Sequence, residues 1–229
     1  MENLVSILEY FNSNNLAVFV SSLAFILSLY IAYHSYFKPP KIEMLVSNKL
    51  AFYPLPEVVD GKVIWGGLGF YLPITFHNWS PRGAAIQEVR IVIEPMNDPE
   101  NCYDMCWYTF NGLHETEHRW TTKGYAQPIA INGKSSAHEC ILFAWRADTK
   151  QKISLQQGEY IVHILGSTPD DKTPSLKHST SFYLTEQMLQ VHERYKKKQI
   201  PLTVDVPLGK NTRLNTITSK NDIKNTYGI

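Results

Sequence analysis

The sequence predicts a mainly-β protein: one N-terminal transmembrane helix, then an antiparallel β-sandwich, a late amphipathic helix and a disordered C-terminal tail. Three observations carry that reading. Leu16–Phe37 is a run of 22 residues without an Asp, Glu, Lys or Arg. Between Ile42 and Leu184 about eight short stretches alternate or run apolar, with turn residues between most of them, which is strand patterning. One strong helix signal follows, Glu186–Lys198, opened by Thr185.

The apolar run makes a helix long enough, at about 1.5 Å per residue, for the ~30 Å hydrocarbon core of a bilayer. A lone segment satisfies its own backbone there only as a helix. The span is expected over residues 16–38, after an extracytoplasmic segment, 1–15. Tyr30, Tyr33 and Tyr36 recur near its C-terminal end at headgroup depth, and Lys38 is placed to snorkel. Pro39-Pro40 stops the helix. Asn12-Ser13-Asn14-Asn15 is expected to break it from Leu4, Ile7, Leu8 and Phe11, whose spacing suits a short amphipathic segment in the outer interface. Ala17, Ser21, Ala24, Ser28 and Ser35 are spaced 4, 3, 4 and 7 apart. That is a seam of small side chains for helix–helix contact, so a homo-oligomer or a membrane-protein partner is expected.

No Lys or Arg precedes the run, whereas Lys38, Lys41 and Lys49 follow it. Cations near a span resist translocation, so the N-terminus is expected outside and the C-terminal domain in the cytoplasm, on a cell (inner) membrane. The acidic N-terminus and the long apolar core point to an uncleaved signal-anchor over a cleaved signal peptide. Three cysteines, Cys102, Cys106 and Cys140, cannot all pair, which suits a reducing compartment. From Arg194 onward eight Lys or Arg stand against two acids, whereas the residues before carry 14 basic and 19 acidic side chains. Residues 209–229 therefore read as a basic disordered tail drawn to anionic lipid headgroups. The tail has no aromatic platform, and nucleic acid is not the expected partner.

In the β domain, 41–208, Phe70, Leu72, Ile74 and Phe76 alternate with Tyr71, Pro73, Thr75 and His77. After the turn Asn78-Trp79-Ser80-Pro81-Arg82-Gly83, Ile86 leads into Val89, Ile91 and Ile93. The turn exceeds two residues, so these two strands are placed either as a pair or in different sheets. Further strands are expected at 42–47, 105–110, 125–131, 140–146, 160–165, 181–184 and 202–206. Residues 160–165 are apolar on both faces, as a central strand would be. The helix Glu186–Lys198 places Met188, Leu189, His192 and Tyr195 on one side and ends on three lysines. The two-strand pattern from Tyr71 through Ile86 resembles immunoglobulin-like domains, which implies an immunoglobulin-like sandwich without the Cys–Trp–Cys signature of true immunoglobulin domains.

Two constellations could carry metal chemistry. His114-Glu115-Thr116-Glu117-His118 matches H-E-x-x-H, in which two histidines four apart on a helix bind zinc and the Glu activates water. The flanking Asn111-Gly112 and Gly124 disfavour a long helix here. Cys102 and Cys106 with His114 and His118 give paired ligands with seven residues between the pairs, short of the usual finger, and need a turn at Tyr103-Asp104. Five tryptophans, Trp65, Trp79, Trp107, Trp120 and Trp145, could alternatively form a sugar-stacking face, although such residues more often fill a core. The sequon Asn78-Trp79-Ser80 is followed by Pro81 and is read as inert. No phosphate-binding glycine loop or nucleophile elbow occurs.

The reading these features support is a membrane-anchored, non-catalytic interaction module whose cytoplasmic β-sandwich assembles with itself or a protein partner, with no cofactor. Its alternatives are a zinc-dependent hydrolase built on the HETEH segment and, with topology reversed, an envelope-side ligand- or carbohydrate-binding domain.

Overall fold

The computed structural model describes residues 13–98, 100–114, 119–145, 153–169 and 171–209. Helix α1, Ser13–Ala32, continues into a π-helical turn, Tyr33–Phe37. Ser13, Asn14 and Asn15 are already helical, so the expected break does not fall there. The amphipathic segment proposed before it lies outside the described residues. The turn closes with Lys38 N donating to Tyr33 O at 3.0 Å. Lys38 is extended at φ −64°, ψ 128°, as a residue before proline must be, and the helix ends where Pro39-Pro40 requires.

Twelve strands follow. They are β1 (Ile42–Val46), β2 (Lys49–Val59), β3 (Lys62–Asn78), β4 (Ala84–Ile86), β5 (Glu88–Pro95) and β6 (Tyr103–His114). After these come β7 (Arg119–Tyr125), β8 (Ile129–Ile131), β9 (Ser136–Trp145), β10 (Gly158–Ser167), β11 (Leu176–Leu184) and β12 (Val204–Pro207). Ten join in the order β11-β10-β5-β6-β9-β3-β2-β12, with β1 added on β3 and β7 on β6. All pairings are antiparallel. The sheet folds on itself into an antiparallel β-sandwich because β6 belongs to both layers. Its first half, Tyr103–Cys106, pairs with β5, and its second half pairs with β9 and β7 after register shifts near Tyr108 and at Phe110/Asn111. Bulges of this kind bend a strand and let it change sheets. At the far edges Gly209 N donates to Ser181 O at 2.7 Å, so β12 and β11 nearly close the sandwich.

The strands expected at Phe70–Phe76 and Ile86–Ile93 accordingly lie in different layers. Phe70, Leu72, Ile74 and Phe76 face Val89, Ile91 and Ile93 across the core, together with Phe52, Phe143, Val162, Ile164 and Phe182. β10 is central, paired on both sides. The stretch expected as one strand at 125–131 is two, β7 and β8, and β8 pairs with β4 to cover the helix end of the core with Ile86, Ile129 and Ile131. Strand β2 was not anticipated, since Pro54 and Pro56 interrupt its pattern; the bulge between Leu55 and Glu57 and the short partner β12 accommodate them. Asp60 and Gly61 then turn at φ 51° and 74°, the two left-handed residues of a tight hairpin.

Helix α2 spans Glu186–Lys198 as expected. Thr185 Oγ1 accepts from Met188 N at 3.2 Å and the three lysines occupy its last turn. The basic tail beyond Gly209 lies outside the described residues.

At the helix end of the sandwich, Asn78 is fully buried. Its Nδ2 donates to Arg82 O at 2.7 Å and Asn132 O at 3.3 Å, and its Oδ1 accepts from Ser80 N at 3.0 Å. Its amide is thus consumed by the β3–β4 corner. Ser80 Oγ in turn accepts from Lys41 N at 2.7 Å, and Trp79 N donates to Lys41 O at 2.9 Å. Replacing Asn78 by Ala would orphan three backbone groups, each costing about 1 kcal/mol or more when buried. Asn78→Ala should therefore destabilise the detergent-solubilised chain by roughly 2–4 kcal/mol in denaturant melts, and an effect below about 0.5 kcal/mol would show that water replaces the amide without loss.

Candidate functional site

Along α1 the side chains from Leu16 onward are exposed, Phe25 at 64% and Ile26 at 62%, and none of the span is buried. Ala17, Ser21, Ala24 and Ser28 lie on one face at 100° per residue. Ser21 Oγ donates to Ala17 O at 2.7 Å and Ser28 Oγ to Ala24 O at 2.8 Å. Both hydroxyl protons are therefore spent within the helix, and a contact along this face would rest on close packing. Ser35 falls in the π-helical turn, whose wider winding moves it off the row. Tyr30 meets His34 at 4.5 Å between ring centroids, tilted by 44°, and Tyr33 and Tyr36 are exposed beside Lys38.

Below the helix a cavity of about 610 Å³ opens between its end, β1, the β3–β4 corner and the β10–β11 loop. Phe37, Pro40, Ala85 and Leu176 give it apolar lining, and Lys41, Arg82 and Asp171 line it with charge. Arg82 Nη1 donates to Tyr36 O at 3.3 Å, satisfying one of the helix's last carbonyls. In the loop Asp171 Oδ2 accepts from Thr168 N and Ser175 Oγ, each at 2.6 Å, and these bonds hold its carboxyl below the usual range.

A second site is the outer face of the layer formed by β2, β3 and β9. Tyr53 stacks on Tyr71 at 5.1 Å and 15°, and Tyr71 on Trp120 at 5.0 Å and 16°. Burial, reinforced by the neighbouring phenol for Tyr53, pushes both tyrosines up, so they remain neutral donors. Gly69 lies directly opposite Tyr53, and a Cβ there would overlap the Tyr53 ring, so this close approach requires glycine. Cys140 is buried in the same cluster and its thiol is pushed up to about 12, mainly by burial. Asn111 bridges to Thr109 Oγ1 and accepts from Thr122 Oγ1, completing a polar floor. The band continues into Tyr108 and Tyr125, which meet edge to face at 6.2 Å and are 42% and 77% exposed. Tyr108 and Val58 line a shared shallow groove. Sequence reasoning fixed on tryptophans and missed these tyrosines, although Tyr53, Tyr71, Tyr108 and Tyr125 all stand out of phase with the core-facing positions.

The five tryptophans form no common platform. Trp145 packs on Tyr103, Trp107 on Phe110, Trp120 on Tyr71 and Trp79 on His77, and the Trp65 indole nitrogen is buried. The described members of the metal constellations are not brought together either. His114 is the last residue of β6, in register with Arg119 of β7, so it stands on a hairpin arm and not on the helix that H-E-x-x-H needs. Residues 115–118, with His118, lie outside the described residues. Tyr103 and Asp104 are extended, which separates Cys102 from Cys106 by roughly 13 Å along the chain. Cys106 Sγ donates to Glu88 Oε1 at 3.4 Å beside the two-pronged Arg90–Asp104 pair; burial and then Glu88 raise its pKa, which keeps the sulfur protonated. Among the described residues no group of three metal-ligating side chains converges.

No family model matches the chain, and no curated protein matches it. Solved structures do. An uncharacterized β-sandwich protein from Clostridium difficile 630 is 14% identical over 62% of this chain and 86% of its own, with a TM-score of 0.32. A family-3 glycoside hydrolase β-glucosidase from Bifidobacterium adolescentis is 13% identical over 66% of this chain and 20% of its own, at 0.28. A sporulation control protein from Bacillus subtilis is 10% identical over 69% and 56%, at 0.27. Likeness at this level assigns no activity.

One buried ionisable group remains. His192 of α2 is 7% exposed, packs tilted against Phe52 at 5.2 Å between ring centroids, and its Nε2 has no hydrogen-bond partner. Burial lowers its pKa below the ordinary 6.5; Glu193 opposes the shift and Lys196 adds to it, while the other elements around it contribute only neutral residues. The folded chain therefore holds neutral imidazole. Its contribution to stability is complete above about pH 6.5 and is lost as the pH falls from there toward the lowered folded value. The melting temperature should drop between pH 7.5 and 5.5, and drop less in His192→Leu; equal slopes in the two chains would assign the dependence to other histidines.

Proposed function

We propose that the chain is a membrane-anchored, non-catalytic interaction module, held by α1 with its N-terminus outside and its β-sandwich in the cytoplasm. The observation that carries the reading is the uncovered apolar surface of α1. Its span offers eleven Leu, Ile, Val or Phe side chains, worth roughly 3–7 kcal/mol of insertion energy, and packs none of them on the sandwich. A helix with apolar side chains on every side needs an apolar surrounding. The exposed end of the tyrosine band supports the interaction half of the reading. Tyr offers rigid contact area with a polar tip, which suits a surface that is wet when free and dry when bound.

Carbonate washing should leave the chain in the membrane pellet, and a cytoplasm-active reporter fused after Ile229 should work. Activity only of an externally active reporter would reverse the topology and favour the envelope-side reading. Crosslinking in membranes then locates self-association. Ala24→Leu with Ser28→Leu should reduce crosslinked dimer if helices pack along the small face, with Ile26→Leu silent; Tyr108→Ala with Tyr125→Ala should reduce it if the sandwich carries the contact. Full dimer in both variants would remove both surfaces from the reading.

A further inference from the structure

The cavity beneath α1 has a composition that neither the core nor the anchor uses. Its apolar lining is Phe37 at the end of the helix together with Pro39, Pro40, Ala85 and Leu176. Lys41 and Arg82, both exposed, also line it, with Thr168, Ser175 and the carboxylate of Asp171. The same end of the sandwich also exposes Lys38, Lys134 and Lys172. Of the described acids at this end, Glu43 is engaged by Trp79 Nε1 at 2.8 Å and Glu88 by Arg90 at 3.2 Å. Asp171, which lines the cavity, keeps its charge and accepts from Thr168 N and Ser175 Oγ of its own loop, so two cations stand against one carboxylate in the lining.

A cavity whose apolar lining begins at Phe37 of the helix end and which holds two cations against one carboxylate suits an amphiphile lying along α1 with its anionic head at Lys41 and Arg82. Arg82 is suited to the head, because a planar guanidinium can give a phosphate two parallel hydrogen bonds. It is held in position by its bond to Tyr36 O, and its backbone carbonyl is fixed by Asn78. Lys41 is positioned independently, its N–H and C=O both bonded to the corner residues Ser80 and Trp79. We propose that this cavity is a binding site for one anionic phospholipid, its phosphate held by Arg82 and Lys41 and its acyl chain against Phe37. The site rests on the reading that α1 spans a bilayer, since only then does the cavity sit at headgroup depth.

The test uses the full chain in nanodiscs of phosphatidylcholine with one-fifth phosphatidylglycerol, released for native mass spectrometry. The expected result is one phosphatidylglycerol retained per chain, with retention at least tenfold lower in the Lys41→Gln, Arg82→Gln double variant and unchanged in Lys123→Gln, which lies on the outer face. Ala85→Phe keeps both cations and fills the cavity; it should lose the lipid while melting like the wild type, and so decides the matter if the double variant does not fold. Equal retention of the two lipids, or retention unaffected by both cavity variants, would overturn the proposal. Glycerol phosphate displacing phosphatidylglycerol at millimolar concentration in detergent would overturn the lipid as ligand and leave a soluble phosphate site. A chain that never enters nanodiscs and washes off with carbonate would instead overturn the anchor itself.

Discussion

The side chain of Asn78 is the interaction on which the arrangement of helix and sandwich depends. It closes β3, the longest strand, by bonding the corner at Arg82 and the loop at Asn132, and it presents Ser80 to the backbone of Lys41. Three segments far apart in sequence thereby share one buried polar knot. A buried amide with every bond made is directional in a way that apolar packing is not. The cost of misplacing any partner is an orphaned backbone group, so the knot fixes where the chain leaves the helix and where Arg82 stands. Gly133 packs against Pro81 so closely that a Cβ would overlap its backbone, and the knot has no room to expand.

A second constraint is the sharing of β6 between layers. A strand that serves both sheets must bend, and the register shifts along its middle do this. The bend leaves room for β7 on the outer layer, and Trp120 from β7 then covers Tyr71. β3 is consequently buried on both faces from Gly67 to Leu72 while remaining half-exposed further on. The outer cluster of Tyr53, Tyr71 and Cys140 is a by-product of that geometry, and the exposed pair Tyr108 and Tyr125 is where its cover ends.

Legibility in the sequence followed how local each signal is. Helix α2 was readable to the residue because a cap, an apolar face and a basic last turn all lie within its own span. The core alternation of β3 and β5 was readable because period two is imposed by a one-sided core, and β10 was readable as a short central strand apolar on both faces. Strand β2 was obscured by Pro54 and Pro56, although the Asp60-Gly61 turn between Val58, Val59, Val63 and Ile64 announces its hairpin with β3. The polar region before Leu16 was read as a break, yet Ser13–Asn15 are helical, since the weak local preference of Ser and Asn for caps yields when a long helix can propagate through them. The cavity and the Asn78 knot had no sequence signature, because each joins residues tens of positions apart.

Position along β3 relates these features to one another. The strand runs from the hairpin at Lys62 to the knot at Asn78, and Tyr71 is seven residues from that end, at most about 23 Å along an extended strand. On the proposed reading, with Lys41 and Arg82 at the headgroups, the tyrosine band would stand further along the strands, away from them. Lipid contact and protein contact would thus use different ends of the same strands. Because Asn78 ties the helix end to β3, a change in helix tilt would carry the band with it. The distance between the two surfaces, set by a rigid strand and a knot without slack, is what would let an anchored domain of this kind hold a partner at a defined height above the membrane.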